Sequence, residues 1–246
     1  MKAAPEAQKR LLDLAELDIV IHRLTHRRRT LPELAEYEET STRLARLATQ
    51  VIAAETQAGD LAREQAKAES DVESVRARAD RDQQRLDSGQ VSSPRDLANL
   101  QSEIASLKRR QNDLEEVVLE IMERREAADA EVRRLTEERE KLSADLDAIG
   151  ERRDAALAEI DKELAEVRAK RAEVAGEIPP DLLGLYEKLR EQYEVGAAML
   201  QHGRCQGCKV QLSIADLNAI RAAAPDEVVR CEECRRILVR TAESGL

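Results

Sequence analysis

From Leu97 onward, apolar side chains recur at alternating steps of three and four. The series runs Leu97, Leu100, Ile104, Leu107, Gln111, Leu114, Val118, Ile121, Arg125, Ala128, Val132 and Leu135. It continues through Arg139, Leu142, Leu146, Ile149, Arg153, Ala156, Ile160, Glu163, Val167, Lys170 and Val174. Seventeen of these 23 positions are apolar, with no stutter. A seven-residue repeat held that long specifies a helix in a left-handed supercoil. The pattern predicts one helix over 94–176, roughly 120 Å long at 1.5 Å per residue.

The preceding segment carries the same rhythm with smaller side chains, from Leu44, Leu47, Val51 and Ala54 to Val75, Ala79, Asp82 and Leu86. Between the two runs lies Ser88-Gly89-Gln90-Val91-Ser92-Ser93-Pro94. If the chain folds back here, facing residues have numbers summing to about 182 or 183, which sets Leu86 on Leu97, Leu61 on Ile121 and Leu47 on Leu135. Seam then meets seam, as an antiparallel hairpin requires. Gly89 suits a left-handed helix end. Ser93 suits an N-cap before Pro94 at the first helical position. Turn formation leaves Gln90, Val91 and Arg95 unexplained, so the tip (about 87–94) reads either as a plain turn or as a contact site at these three residues.

Two further breaks divide the chain. Pro32 interrupts a helix near 31–32, so 6–30 reads as a separate helix with Leu14, Leu17, Ile21 and Leu24 on one face. Gly176 and Pro179-Pro180 end the long helix, after which a shorter one is expected from Asp181 to about Met199. The expected domains are 1–176, an antiparallel coiled-coil hairpin, and 177–246, a linking helix with a small cysteine module. The fold class is mostly α. Polar seam residues Gln111, Arg125, Arg139 and Arg153 read as register-setting or as long chains reaching water, with ligand binding as the alternative.

Composition agrees with that picture. The 246 residues include no Phe, no Trp and three Tyr, and 37% are charged. Such a chain has little with which to build a deep core, and the bias is that of long helices. The net charge of −10 gives no overall attraction to nucleic acid or anionic membrane. No apolar run suits a signal peptide or a membrane span. A cytoplasmic protein is expected, and in that reducing compartment four cysteines read as metal ligands rather than disulfides.

Those cysteines carry the strongest chemistry. Cys205-x-x-Cys208 and Cys231-x-x-Cys234 are two knuckles, each aiming two thiolates at one point, and together they complete a tetrahedron for one structural Zn²⁺. Iron is the alternative for a four-thiolate site, and His202 the alternative ligand. Lys209–Leu212 and Ile237–Val239 read as strands beside the knuckles. Ser213 reads as the cap of a short helix holding Ile214, Leu217 and Ile220. A closed four-thiolate shell leaves no position for water or substrate, and no catalytic motif occurs elsewhere, so an enzyme is not expected. Arg204, Arg230, Arg235, Arg236 and Arg240 form a candidate phosphate-contacting face. Against it stand the acidic balance of 177–246 and the lack of stacking aromatics. Simple solvation of a small domain explains these arginines equally well.

The order of features resembles a bacterial family of coiled-coil proteins with a C-terminal C4-type zinc ribbon, whose flagellar member is called FlgZ. The residues that carry the resemblance are Ile178-Pro179-Pro180-Asp181-Leu182-Leu183 in an I-P-P-x-L-x-x-x-Y-x-x-L stretch, Cys205-Gln206-Gly207-Cys208, and Cys231-Glu232-Glu233-Cys234-Arg235-Arg236-Ile237-Leu238. The tip, Ser92-Ser93-Pro94-Arg95-Asp96-Leu97, is similar to the family's tip pattern. The resemblance implies an adaptor; family members are described as binding a sigma factor or messenger RNA. The four zinc ligands carry over residue by residue, whereas the partner does not. The expected function is a non-enzymatic adaptor for protein partners, in transcription or RNA metabolism. The alternatives are nucleic-acid binding through the arginine face and a structural spacer. Either a monomer or a weak dimer fits a hairpin that satisfies its own seam.

Overall fold

The computed structural model describes residues 1–246. Its elements are α1 (Pro5–Arg29), α2 (Pro32–Asp87), α3 (Pro94–Gly176), α4 (Pro180–Tyr193), β1 (Ala197–Gln201), β2 (Arg204–Cys205), α5 (Ile214–Ala222), β3 (Val229–Arg230) and β4 (Ile237–Val239). The first four helices each begin on a proline. At that position the missing N–H costs nothing and the fixed φ favours the first turn. The chain divides into two compact units, residues 36–149 and residues 1–35 with 150–246.

The unit of residues 36–149, which carries the hairpin tip, buries a thin strip. Leu47, Val51, Leu61, Ala79, Leu100, Ile104, Ile121, Leu135, Leu142 and Ile149 are each under a tenth exposed. Every one of them is a seam position of the heptad pattern. Leu47, Val51, Leu135 and Leu142 form one continuous cluster, and the cross-helix pairs Arg43–Glu138 and Arg78–Glu103 fall within two of the expected sum. Polar seam residues are half-buried and bonded: Arg125 donates to Gln65 across the seam at 3.1 Å, and Gln111 to Glu115 at 2.8 Å. At the tip, Gly89 adopts φ +69°, and the Ser93 carbonyl accepts from the Leu97 N–H at 3.0 Å.

The other unit, which carries the ribbon, begins with α1 against the C-terminal part of α3. Leu24, Leu31, Ile160 and Leu164 form their shared cluster. Here the heptad reading needs correction. Glu163 and Lys170 were expected in the seam, but Leu164 is buried and Arg171 lies on the buried side. Ile160 and Val167 keep their expected places, and the face widens to take in Leu164 and Arg171 beside them, because α1 rather than a heptad partner covers this part of α3.

The ribbon is a four-stranded sheet of order β2-β1-β4-β3. The β1–β4 pair is parallel, with Ala197, Ala198 and Met199 opposite Ile237, Leu238 and Val239; its other pairings are antiparallel. Alternation along β4 serves both faces. Ile237 and Val239 join Leu11, Leu14, Leu182, Tyr186 and Leu189 under α1 and α4. Leu238 joins Leu200, Leu212, Ile220, Cys205 and Cys231 under α5. The I-P-P stretch is thereby explained: Ile178, Leu182, Tyr186 and Leu189, at helical spacing, are all buried on the sheet. The N-terminal residues complete the unit. Ala3 N–H donates to the Asp226 carbonyl at 2.7 Å, and Val228 N–H to the Met1 carbonyl at 3.1 Å.

Three local expectations differ from the structure. The helix expected to reach about Met199 ends at Tyr193, closed by Glu194 at φ +69°. Gly196 then passes so close to α4 that a Cβ there would lie 2.3 Å from the Tyr186 carbonyl oxygen, and 197–201 become a strand because β4 offers an edge. Lys209–Leu212 is not a strand; only Gln211 bridges to Arg204, because the knuckle's own turn uses the preceding backbone. Ser213 does cap α5, in a capping box with Asp216. The cap, however, leaves Ile214 in the first turn 79% exposed, while Ile220 is buried.

Candidate metal centre and ribbon surface

The two knuckles have the same local build. Lys209 N–H donates to the Cys205 carbonyl at 2.8 Å, and Arg235 N–H to the Cys231 carbonyl at 2.9 Å. Each turn is locked a second time by Cys205 N–H to Val210 and Cys231 N–H to Arg236. Each puts the residue after its second cysteine at positive φ, +62° at Lys209 and +61° at Arg235. Non-glycine residues tolerate that region at a cost, which the paired hydrogen bonds offset.

The four Sγ atoms lie within 4.8 Å of one another. Cys205 and Cys234 are 3.8 Å apart, Cys208 and Cys231 3.9 Å. A tetrahedral site with metal–sulfur bonds of about 2.3 Å has sulfur–sulfur edges of about 3.8 Å, so the residues present fit Zn²⁺. Burial pushes the Cys205 thiol up to about 12 and raises Cys231 as well. Burial opposes ionisation at Cys234 too, but hydrogen bonds from the backbone N–H and guanidinium of Arg236 and from the thiols of Cys231 and Cys208 together outweigh it and lower that thiol. Crowded, buried thiolates need a cation at their centre. The four cysteines hold one structural Zn²⁺, whose closed shell supplies folding energy.

His202 has another task. With Gly203 (φ +48° and +72°) it makes the two-residue turn between β1 and β2, the positive-φ pair that suits a tight hairpin. Its N–H donates to the Glu243 carbonyl at 2.8 Å.

The five arginines of the candidate phosphate face do not form one surface of free cations. Arg240 donates to the carbonyls of Ile220, Ala223, Ala224, Pro225 and Glu227, at 2.7 to 3.3 Å, and so closes the C-terminal end of α5. Arg236 donates to the carbonyls of Val195 at 3.0 Å and Tyr193 at 2.8 Å, and lies 5.3 Å from the centre of the Tyr193 ring. Arg230 donates to the Arg235 carbonyl at 2.8 Å. Arg235 pairs with Glu232 at the surface, and Arg204 is exposed on β2. At the hairpin tip Gln90 and Arg95 are exposed and Val91 is half-buried.

One cluster escaped the sequence reading. Asp18 of α1 is 1% exposed. It accepts from Arg171 Nε of α3 at 2.6 Å and from the Tyr186 hydroxyl of α4 at 2.6 Å. Arg171 and Arg190 also bond Glu187, at 2.6 and 2.8 Å. Burial favours a neutral Glu187, yet the two guanidiniums prevail and hold its carboxyl below the usual range. Burial and the Asp18 carboxylate push the Tyr186 phenol far up. The only prior signal was an aspartate amid the apolar residues of α1.

Comparison with known proteins agrees with this anatomy. The CT398-like coiled coil hairpin domain matches residues 14–194, and the C4-type zinc ribbon domain residues 204–238. An uncharacterized Mycobacterium tuberculosis protein, Rv2229c in strain H37Rv, is 39% identical over 98% of both chains. A solved structure from Mycobacterium smegmatis superposes with a TM-score of 0.86 at 35% identity, covering 98% of this chain and 100% of the other. CT398 from Chlamydia trachomatis gives a TM-score of 0.72 at 19% identity, over 96% and 98% of the two chains, a likeness of fold. These matches carry the CT398-like description rather than the FlgZ name. The chain belongs to the family of CT398-like coiled-coil hairpin proteins with a C4-type zinc ribbon.

Proposed function

We propose that this protein is a non-enzymatic adaptor that holds protein partners, working in the reducing cytoplasm where its thiols stay available to zinc. The observation that carries this reading is the commitment of the ribbon's polar groups. Four thiolates close the metal shell, and Arg230, Arg236 and Arg240 donate to the protein's own carbonyls. A ribbon spent in this way offers little for catalysis or for a phosphate backbone. Gln90, Val91 and Arg95 at the tip are the contact site this reading favours. Affinity purification from the native cell, with nuclease treatment, tests it. A defined protein should be retained after nuclease and lost from a Val91→Glu/Arg95→Glu variant.

Nucleic-acid binding is the second reading, supported by the exposure of Arg204 and Arg235. It requires RNA or DNA affinity that falls steeply with salt and disappears in Arg204→Glu/Arg235→Glu. If neither protein nor nucleic acid is retained, a structural spacer is left.

A further inference from the structure

A cleft of about 450 Å³ opens between α1 and the first zinc knuckle. Leu12, Ala15 and Ile19 form its helical wall, with Val195 and Met199 across from them. Ile19 is 54% exposed, although Ala15 and Asp18 beside it are buried. A lone exposed isoleucine is ordinary; one that lines a concavity with other apolar side chains marks a binding surface. The charges around the cleft are sorted by side. Glu16 of α1 and Glu194 at the end of α4 stand on the helical side and Lys209 on the knuckle side, while the Arg236 guanidinium is taken up by the carbonyls that flank Glu194.

The walls are fixed. Arg236 is held by the carbonyls of Val195 and Tyr193. Gly207 is wedged so tightly that a Cβ would lie 2.9 Å from Arg236 Cδ and 3.0 Å from Ala198 Cβ. A preformed surface spares a ligand the ordering cost of binding.

We infer that this cleft receives a short amphipathic segment of a partner protein, with its apolar side chains on Ile19, Val195 and Met199 and a carboxylate facing Lys209. The inference rests on the adaptor reading and adds the chemistry of the segment bound. Charge complementarity selects it: Lys209, which donates one N–H to Gln206 at 2.8 Å and keeps two for a carboxylate, offers a cation beside apolar surface, while Glu16 and Glu194 repel a phosphate backbone and attract a base at the other end. The Arg236 guanidinium lies over the ring of Tyr193, so one face of that ring is already taken.

The test uses the full-length, zinc-loaded protein and a labelled amphipathic peptide of about twelve residues, with a leucine pair between a lysine end and a glutamate end. Saturable binding is expected, weakened about tenfold or more by Ile19→Glu and by Met199→Glu. Lys209→Glu should weaken it similarly, and a peptide whose glutamate is replaced by lysine should recover affinity for that variant. Zinc content and hydrogen exchange verify that each variant is folded. Equal binding of a peptide with serines in place of the leucines, or undiminished binding to Ile19→Glu, overturns the proposal. So does a dimer that Ile19→Glu dissociates, or saturable binding of dodecanoate in place of the peptide. If a native partner stays bound to Ile19→Glu, the cleft proposal fails and the adaptor reading stands. If wild type retains no partner, the adaptor reading itself fails.

Discussion

The tip-bearing unit, 36–149, and the ribbon-bearing unit solve the same shortage of aromatic side chains in opposite ways. Between two helices only a strip of aliphatic side chains leaves water, and none of the buried polar residues lies there. Gln8, Asp18 and Ser244, the three buried polar residues, all belong to the ribbon-bearing unit. A two-helix seam is so thin that an arginine in it reaches solvent along its own stem. Three layers around a sheet have an interior, and a polar group caught there must find partners. Asp18 finds Arg171 and Tyr186; Ser244 Oγ donates to the Leu200 carbonyl at 2.9 Å. The tip-bearing unit is stabilised by repetition, the ribbon-bearing unit by a few irreplaceable sites.

The largest break in that comparison should come from the metal. Cys231→Ser, or chelation, removes a binding energy of about 10 kcal/mol or more. Hydrogen exchange should then show protection lost across 197–240 and kept around Leu47, Val51 and Leu135. Equal loss in both places would mean that one cooperative fold spans them.

Asp18→Ala should come next, costing about 3–5 kcal/mol, because the buried Tyr186 hydroxyl loses its acceptor and Arg171 is left with Glu187 alone. Gln65→Ala, which also removes a partner from an arginine, should cost under about 1 kcal/mol because Arg125 reaches water. Denaturant midpoints of the two variants compare the units directly. Arg240→Ala should cost about 2 kcal/mol, the worth of hydrogen bonds to a charged donor. It should also raise exchange at 220–227 without loss of zinc.

Acid sharpens the same contrast. Because the Glu187 carboxyl is lowered in the fold, its contribution is present above its ordinary value of 4.5 and is lost as pH falls through the lower folded value. Glu187→Gln should flatten the pH dependence of stability below 4.5 in the ribbon-bearing unit, as read by exchange at α4. The smallest effect is expected at the tip. Gly89→Ala meets no atom within 4 Å but must hold φ +69°, a cost of about 1 kcal/mol visible as a small shift in thermal midpoint.

How much of this was legible in the sequence depends on distance along the chain. The bounds 94 and 176 of α3 were readable because a heptad pattern, a proline and a glycine are local signals. Leu47, Leu61, Ile121 and Leu135 were readable as core because a long period leaves one consistent face. Met199 was misassigned because its partner strand begins at Ile237, and nothing within reach of residue 199 announces it. Leu164 replaced Glu163 because α1, not a heptad partner, covers that part of α3. The arginines were visible as a group, but their commitment was not, since backbone carbonyls carry no mark in a sequence.

By itself, then, the sequence determined the first three helices, the fold-back and the four metal ligands. Each is set by spacings of a few residues or by strict repetition, which the backbone geometry of a helix or a knuckle converts directly into position. Only the tertiary structure decided that Asp18 is buried against Tyr186, 168 residues away. It also decided that β1 lies parallel to β4, that the first residues of the chain bond to 226–228, and that a charged apolar cleft stands beside the zinc. Those features arise where surfaces distant in sequence meet, and their energies come from desolvation and mutual satisfaction that no single segment contains.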